Sequence, residues 1–443
     1  MPRSFWFRLA LILILLPCSL PAQERLRVIV ETDAGGDPDD EQSMVRFLLY
    51  ANEWDVEGII ANRPVAREKE NRNRERTGLG IVRAMVNAYG QCYPRLVLHD
   101  RRYPPPEMLA QLTVAGYDDV EDGVNLIIKA VDDPDPRPVW FCNWGTDSGS
   151  AARCLKRALD RVLRQRGPDG YARFKNRLRL SSADKFQEHT GTIDPPWVIW
   201  VDTFRPELDK RRWYHRFSAI TARAGGFDIE RDVRTGHGPL GELYPTNTGI
   251  PQKEGDTMSF LYLVPTGMND PEHPDWGSWA GRYGLMESAG GKAYYWANQM
   301  DTWRGTTHRD NTLARWAEHL QNDFAARMDW CVKDYARANH PPLPANRGIR
   351  TMRAAAGERV TLDGSGWIDP DRNRLDHEWI WYPEPGTYRG EPIEIVDARS
   401  PEASFTAPQV TQRQTLHFVQ IVTDSGTPRL TRYQRVVVTV EPR

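Results

Sequence analysis

Glu31-Thr-Asp-Ala-Gly-Gly-Asp-Pro-Asp-Asp-Glu41 stands between the apolar run Leu26-Arg-Val-Ile-Val30 and the stretch Ser43-Met-Val-Arg-Phe-Leu-Leu-Tyr50. The first flank reads as a buried strand and the second as one face of a helix. The acidic cluster therefore falls where a strand hands over to a helix, at the carboxyl edge of a parallel sheet. Open α/β sheets bind their ligands at that edge. Gly35 and Gly36 admit backbone angles that other residues resist, and Pro38 fixes another, so the turn is tight and stiff.

Asp33, Asp37, Asp39 and Asp40 crowd carboxylates into this one loop. Like charges so close call for a cation, and all-oxygen ligation suits Ca²⁺ or Mg²⁺ better than zinc. An EF-hand wants Gly at loop position six and Glu at position twelve. Counted from Asp33, those places hold Pro38 and Met44, so that motif fails. A phosphate-cradling loop fails as well, because the aspartates would repel phosphate and no Gly-Lys-Ser/Thr follows. Acids complementing a helix dipole would account for one or two of the four.

The stretch resembles the N-terminal signature of calcium-dependent nucleoside hydrolases, an Asp-x-Asp-Pro-Gly-x-Asp-Asp loop after the first strand. It is more similar still to the nucleoside-hydrolase-like domain of a bacterial group named after a cellulose-binding protein, in which Gly-Gly-Asp-Pro-Asp-Asp-Glu-Gln-Ser recurs as it stands from Gly35 to Ser43. In this resemblance Glu31 takes the hydrolases' first Asp place, Asp33 the second, and Asp39-Asp40 the final pair, with two extra residues in the loop.

With 443 residues the chain has room for two or three domains. Its 58 Lys and Arg nearly balance 60 Asp and Glu, which excludes nucleic-acid or membrane-surface electrostatics. Residues 1–23 carry Arg3 and Arg8, then an apolar run, then Pro21-Ala22, the pattern of a secretory signal cleaved near Ala22. Pro17 before Cys18 argues against a lipidation site. The expected product is periplasmic or secreted, with no membrane attachment after cleavage. Cys92, Cys142, Cys154 and Cys331 fit no zinc spacing; Cys142 reads as buried packing, and no disulfide pairing is assigned. Sixteen tryptophans serve the core and, in exported carbohydrate-handling proteins, also serve as sugar platforms.

Along the chain, strands are expected at 56–61, 96–98, 139–142, 177–181 and 197–201, and helices near 80–89, 123–131, 151–163 and 313–335. This alternation predicts βαβ units and a parallel sheet. Beyond the proline-rich segment 339–344 the period changes to two, as in 377–382, 415–422 and 434–440. A small immunoglobulin-like sandwich follows from that pattern, with turns at Asp369-Pro-Asp371 and Asp424-Ser-Gly426. The expected fold is a nucleoside-hydrolase-like, open, mostly parallel sheet flanked by helices, plus a C-terminal immunoglobulin-like β-sandwich. The expected domains are 1–23 (signal), 24–340 and 341–443.

The resemblance also implies distant site residues. The turn 143–150 corresponds to one that offers calcium a backbone carbonyl, which places Ser148 at that donor; a Ser/Gly helix cap explains the residues equally well. Asp256 matches the last calcium carboxylate, with Gly255 where the hydrolases carry His; a plain N-cap is the competing reading. Asp270 and Asp275 are weaker ligand candidates. His237, in Gly236-His-Gly-Pro-Leu-Gly241, could reach a leaving group, although a lone loop histidine is more often structural. The ribose-gripping residues of the hydrolases have no match in 184–196.

The implied function is an exported calcium-dependent glycosyl hydrolase of nucleoside-hydrolase type. Asp33, Asp39, Asp40, Asp256 and the Ser148 carbonyl would hold Ca²⁺, Asp33 would act as general base, and Asp39 and His237 would contact a small glycoside or nucleoside. The alternative is a non-catalytic carbohydrate- or cellulose-binding protein that uses the same site for a polysaccharide. A purely structural role would leave the acidic loop idle.

Overall fold

A computed structural model of the chain describes residues 25–67, 75–117, 119–145, 154–182, 197–200, 220–221, 226–246, 251–285, 293–297, 299–346 and 348–443. The expected signal and Ser148 lie outside the described residues.

Strands β1 (Leu26–Thr32), β2 (Trp54–Ala61), β3 (Thr113–Ala115), β4 (Val139–Asn143), β5 (Leu178–Ser182), β6 (Trp197–Trp200), β7 (Gly284–Leu285) and β8 (Ala293–Trp296) form one sheet in the order β3-β2-β1-β4-β5-β6-β8-β7. Every pairing is parallel except β7 with β8. The helices are α1 (Asp39–Leu49), α2 (Gly78–His99), α3 (Pro106–Leu112), α4 (Asp122–Asp132), α5 (Cys154–Asn176), α6 (Gly238–Glu242), α7 (Met258–Leu261), α8 (Asn311–Ala314) and α9 (Ala317–Trp330). Val28 and Val30 face the core shared with α1, α2 and α9, whereas Ile29 faces the core shared with α4 and α5. With both faces covered, a parallel strand reads as a continuous apolar run, as Val28-Ile-Val30 does.

The chain winds from β1 outward to β3, then returns to place β4 on the other side of β1. The crevice between the loops after β1 and β4 is thus the topological switch point, where such sheets take ligands.

Two expectations are corrected. Residues 96–98 are not a strand but the last turn of α2. Met85, Tyr89, Cys92 and Leu96 repeat at helical spacing and are buried, so the helix's apolar face runs on through this stretch. The third strand is Thr113–Ala115 instead. The single helix expected at 313–335 is two, α8 and α9, and α9 ends at Trp330.

A small hairpin, β9 (Asp301–Trp303) with β10 (Thr306–His308), precedes α8. The C-terminal sandwich packs β11 (Arg350–Ala355), β16 (Thr431–Glu441), β15 (Gln414–Asp424) and β13 (Leu375–Trp381) against the pair β12 (Arg359–Asp363) and β14 (Glu402–Thr406). Phe405 and Phe418 meet at 4.3 Å in its core. The sandwich docks through main chain: Tyr433 N donates to Thr266 O and Arg435 N to Gly267 O, at 3.0 and 3.1 Å. A Cβ at Gly267 would lie 1.9 Å from Tyr433 O, so only glycine permits this approach.

Candidate functional site

The loop after β1 is built by its own short polar contacts. Asp40 Oδ1, in the first turn of α1, accepts from Thr32 Oγ1 at 2.5 Å and Asp33 N at 3.1 Å. Glu41 Oε1 accepts from Gly35 N at 3.2 Å. Gly35 sits at φ +90, with Ala66 and Ile81 too near for a side chain. These bonds fold the loop back on the helix start and turn Asp39 and Asp40 toward the switch point.

Asp256 arrives from the loop before α7. Ligand-capable oxygens of Asp39, Asp40 and Asp256 all lie within 4.8 Å of one another, and all three residues are buried. Neither oxygen of Asp256 has a hydrogen-bond partner among the described residues. Burial, then the neighbouring carboxylates, push Asp40 and Asp256 well above the usual carboxylate range. Burial and Asp37 push Asp39 up to about 7. A carboxylate group that cannot all ionise in its own company, made only of oxygen donors, fits a hard divalent cation.

Asp33 flanks this trio. Its charge raises Asp39, Asp40 and Asp256. Arg63 Nη2 approaches its Oδ2 at 3.3 Å. A Cβ on Gly145, in the turn after β4, would stand 2.4 Å from Asp33 Oδ1. Asp37 turns outward to pair with Lys253, whose Nζ is also 3.9 Å from Asp39 Oδ2. Glu31 points to the other side of β1. Its Oε1 accepts from Asn62 Nδ2 at 3.2 Å and Cys154 N at 3.4 Å, and burial pushes it up to about 7.

The residues that hold the site together were not singled out from sequence. Gln42 Oε1 accepts from Lys253 N and Glu254 N, at 2.8 and 3.0 Å. One turn on, Arg46 forms a buried ion pair with Glu254. Gln42 and Arg46 are thus α1's grip on the loop that carries Asp256. Gln42 and Arg46, polar residues four apart and so on one face of a helix that is buried throughout, were the available signal. Trp144 Nε1 donates to Ser259 Oγ at 2.7 Å, tying α7 to the end of β4.

Three candidates stand elsewhere. His237 Nε2 meets Arg231 O at 3.0 Å and its Nδ1 lies 3.6 Å from Asp329, toward the far end of α9. The Asp270 carboxylate accepts from Glu272 N, and Asp275 lies beside Arg282 and His273. None of these contacts involves the carboxylate trio.

A mainly parallel sheet with carboxylates gathered at its switch point, joined to a β-sandwich, defines a nucleoside-hydrolase-like protein with an appended domain. The family model described as "Cellulose-binding Sde182, nucleoside hydrolase-like domain" matches residues 27–283, and "Cellulose-binding protein Sde0182, C-terminal domain" matches residues 359–440. The chain belongs to this Sde182 family. It is similar to the solved structure of a nucleoside hydrolase-related hypothetical protein from Saccharophagus degradans described as associated with carbohydrate metabolism, at 30% identity over 94% of this chain and 100% of that one, with a TM-score of 0.71. A PKD domain from KIAA 1837 protein has 22% identity over 21% of this chain and 81% of its own, but at a TM-score of 0.16 it carries no argument. No curated protein matches. Among the described residues no helix is long and apolar enough to cross a membrane.

Proposed function

We propose that the chain is an exported, calcium-dependent hydrolase of glycosyl bonds, acting on a small glycoside or nucleoside. The Asp256 carboxylate carries this reading, being buried, without a hydrogen-bond partner on either oxygen among the described residues, and close to Asp39 and Asp40. A hard cation is the partner such a group lacks. Asp39, Asp40 and Asp256 would hold it, with Asp33 beside them and, by family likeness, the Ser148 carbonyl. When bound, calcium would supply charge balance and Lewis-acid polarisation.

The chain's own groups do the rest. Asp33 would take the proton of a water attacking the anomeric carbon. The glycosidic bond would break with its electron pair leaving on the departing group. Asp39 would hold a sugar hydroxyl, and the surrounding carboxylates would favour the positive charge growing on the ring. His237 has no part in this reading.

A second reading, carbohydrate or cellulose binding without turnover, is supported by Arg63, which occupies one oxygen of the proposed base. The family's description points the same way. A panel of nucleosides and glycosides, assayed with and without chelator, separates the two. Chelator-sensitive turnover that disappears in a folded Asp33→Ala variant is expected. Robust hydrolysis by that variant would overturn the first reading, and retention on insoluble cellulose without turnover would establish the second.

A further inference from the structure

At the opposite end of β1 from the acidic loop, a cleft of about 330 Å³ opens beside Leu26, and His99, Trp330, Tyr335 and His340 line part of it. The four rings are stacked. Tyr335 lies 3.9 Å from His340, and Trp330 lies 5.3 Å from His99 and 5.4 Å from His340. The two imidazoles are linked edge to edge in a chain of three contacts. Lys333 O faces His99 Nε2 at 3.0 Å, His99 Nδ1 faces His340 Nε2 at 2.9 Å, and His340 Nδ1 faces Asp371 Oδ1 at 2.9 Å. Asp371 Oδ2 also accepts from His340 N at 2.7 Å.

Each contact needs one proton between its two heavy atoms. A carbonyl and an ionised carboxylate can only accept, and two neutral imidazoles bring two N–H groups between them. The chain is therefore one proton short unless the set takes up another. We propose that His99 and His340 together hold one proton more than two neutral rings. That proton acts as a pH-sensitive clamp, fastening the connecting segment at His340 and the sandwich turn at Asp371 to the end of α2.

The surroundings say where the proton sits. Burial, with the charge of His340 and Arg95 acting the same way, pushes His99 down to about 4 despite the Lys333 carbonyl and Asp371. The extra proton accordingly belongs to His340, whose Nδ1 faces the Asp371 carboxylate at 2.9 Å and whose ring stacks on Tyr335. The other charged groups nearby are engaged elsewhere. Arg95 pairs with Asp334, Lys333 with Asp329, and Asp100 with Arg102. Asp369 accepts through Oδ1 from backbone N–H groups of its own turn, its Oδ2 being buried without a partner among the described residues, and Asp424 accepts from Asn339 and its own turn. Asp371 is the carboxylate facing the pair.

The sign follows. The clamp's contribution is present while the set holds its third proton and is lost when rising pH removes it.

Side-chain ¹H–¹⁵N spectra of the calcium-loaded full chain test this directly. At about pH 6, His340 should carry protons on both ring nitrogens while His99 is the neutral Nε2–H tautomer. Melting temperature measured from about pH 6 to about pH 8.5 should fall further in the wild type than in Asp371→Asn or His340→Gln. A neutral His340 at the lower pH, or variants whose pH dependence matches the wild type, would overturn the proposal.

Discussion

Arg46 Nε donates to Glu254 Oε2 at 2.5 Å and Arg46 Nη2 to Glu254 Oε1 at 2.9 Å, between side chains with no exposed surface and 208 residues apart in sequence. Tyr244, Gln252 and Thr257 also donate to this carboxylate, at 2.8, 2.6 and 2.9 Å. Glu254 is held at φ +37, an uncommon backbone conformation for a non-glycine residue. Two residues later comes Asp256. The pair thus fixes the loop on the helix whose first turn bears Asp39 and Asp40.

Glu254→Gln should leave the Arg46 guanidinium buried without its counter-charge. Removing one partner of a buried pair typically costs about 3–5 kcal/mol. Urea unfolding should show a loss of that order, together with weaker calcium binding, since Asp256 loses its anchor. Unchanged stability would mean that the surrounding hydrogen bonds, not the ion pair, hold the loop.

Gly145→Ala would place a methyl group 2.4 Å from Asp33 Oδ1, at a backbone φ of +155. The carboxylate must move. Misplacement of a reacting group by about 1 Å can cost roughly 10²-fold in rate, so under the proposed hydrolysis, with Asp33 as its base, kcat should fall by that order while the fold, followed by circular dichroism, persists. Full activity would show that Asp33 is not the base.

Without metal, the carboxylate trio sets a pH dependence that the proposed calcium would offset. Asp39 is raised to about 7 in the folded chain, against about 3.9 unfolded. Without metal, the stability it contributes is present below about pH 3.9 and is lost as pH rises through about 7. The chelated protein should therefore melt at a lower temperature at pH 8 than at pH 5.5 (about one pH unit or more on either side of 7), and saturating calcium should remove the deficit. Asp256→Asn, with one like charge fewer, should melt higher than the chelated wild type at the upper pH and gain little from calcium. A wild type indifferent to calcium at both pH values would refute the metal site.

What could be read in advance was local. The strand-to-helix passage at residues 26–50 and the alternation that makes the sheet parallel both lie within short windows, where side-chain periodicity reports burial directly. The segment at 96–98 misled because three apolar residues suit either period, and the preceding helical turns decided between them. The candidates that failed to converge, His237, Asp270 and Asp275, were chosen for chemistry alone, and nothing in their neighbourhoods encodes a direction in space.

Sequence by itself determined that acids and glycines occupy the first turn of a parallel sheet, because neighbouring residues cannot avoid one another there. The resemblance named Asp256 as a partner of Asp39 and Asp40, and the tertiary structure brings the three together; only that structure decided that Asp37 instead turns to Lys253, and that Gln42, Arg46 and Glu254 do the joining. Those meetings depend on how α1 and the loop before α7 pack across the switch point. Packing is a property of the whole buried core, and no short window of residues contains it.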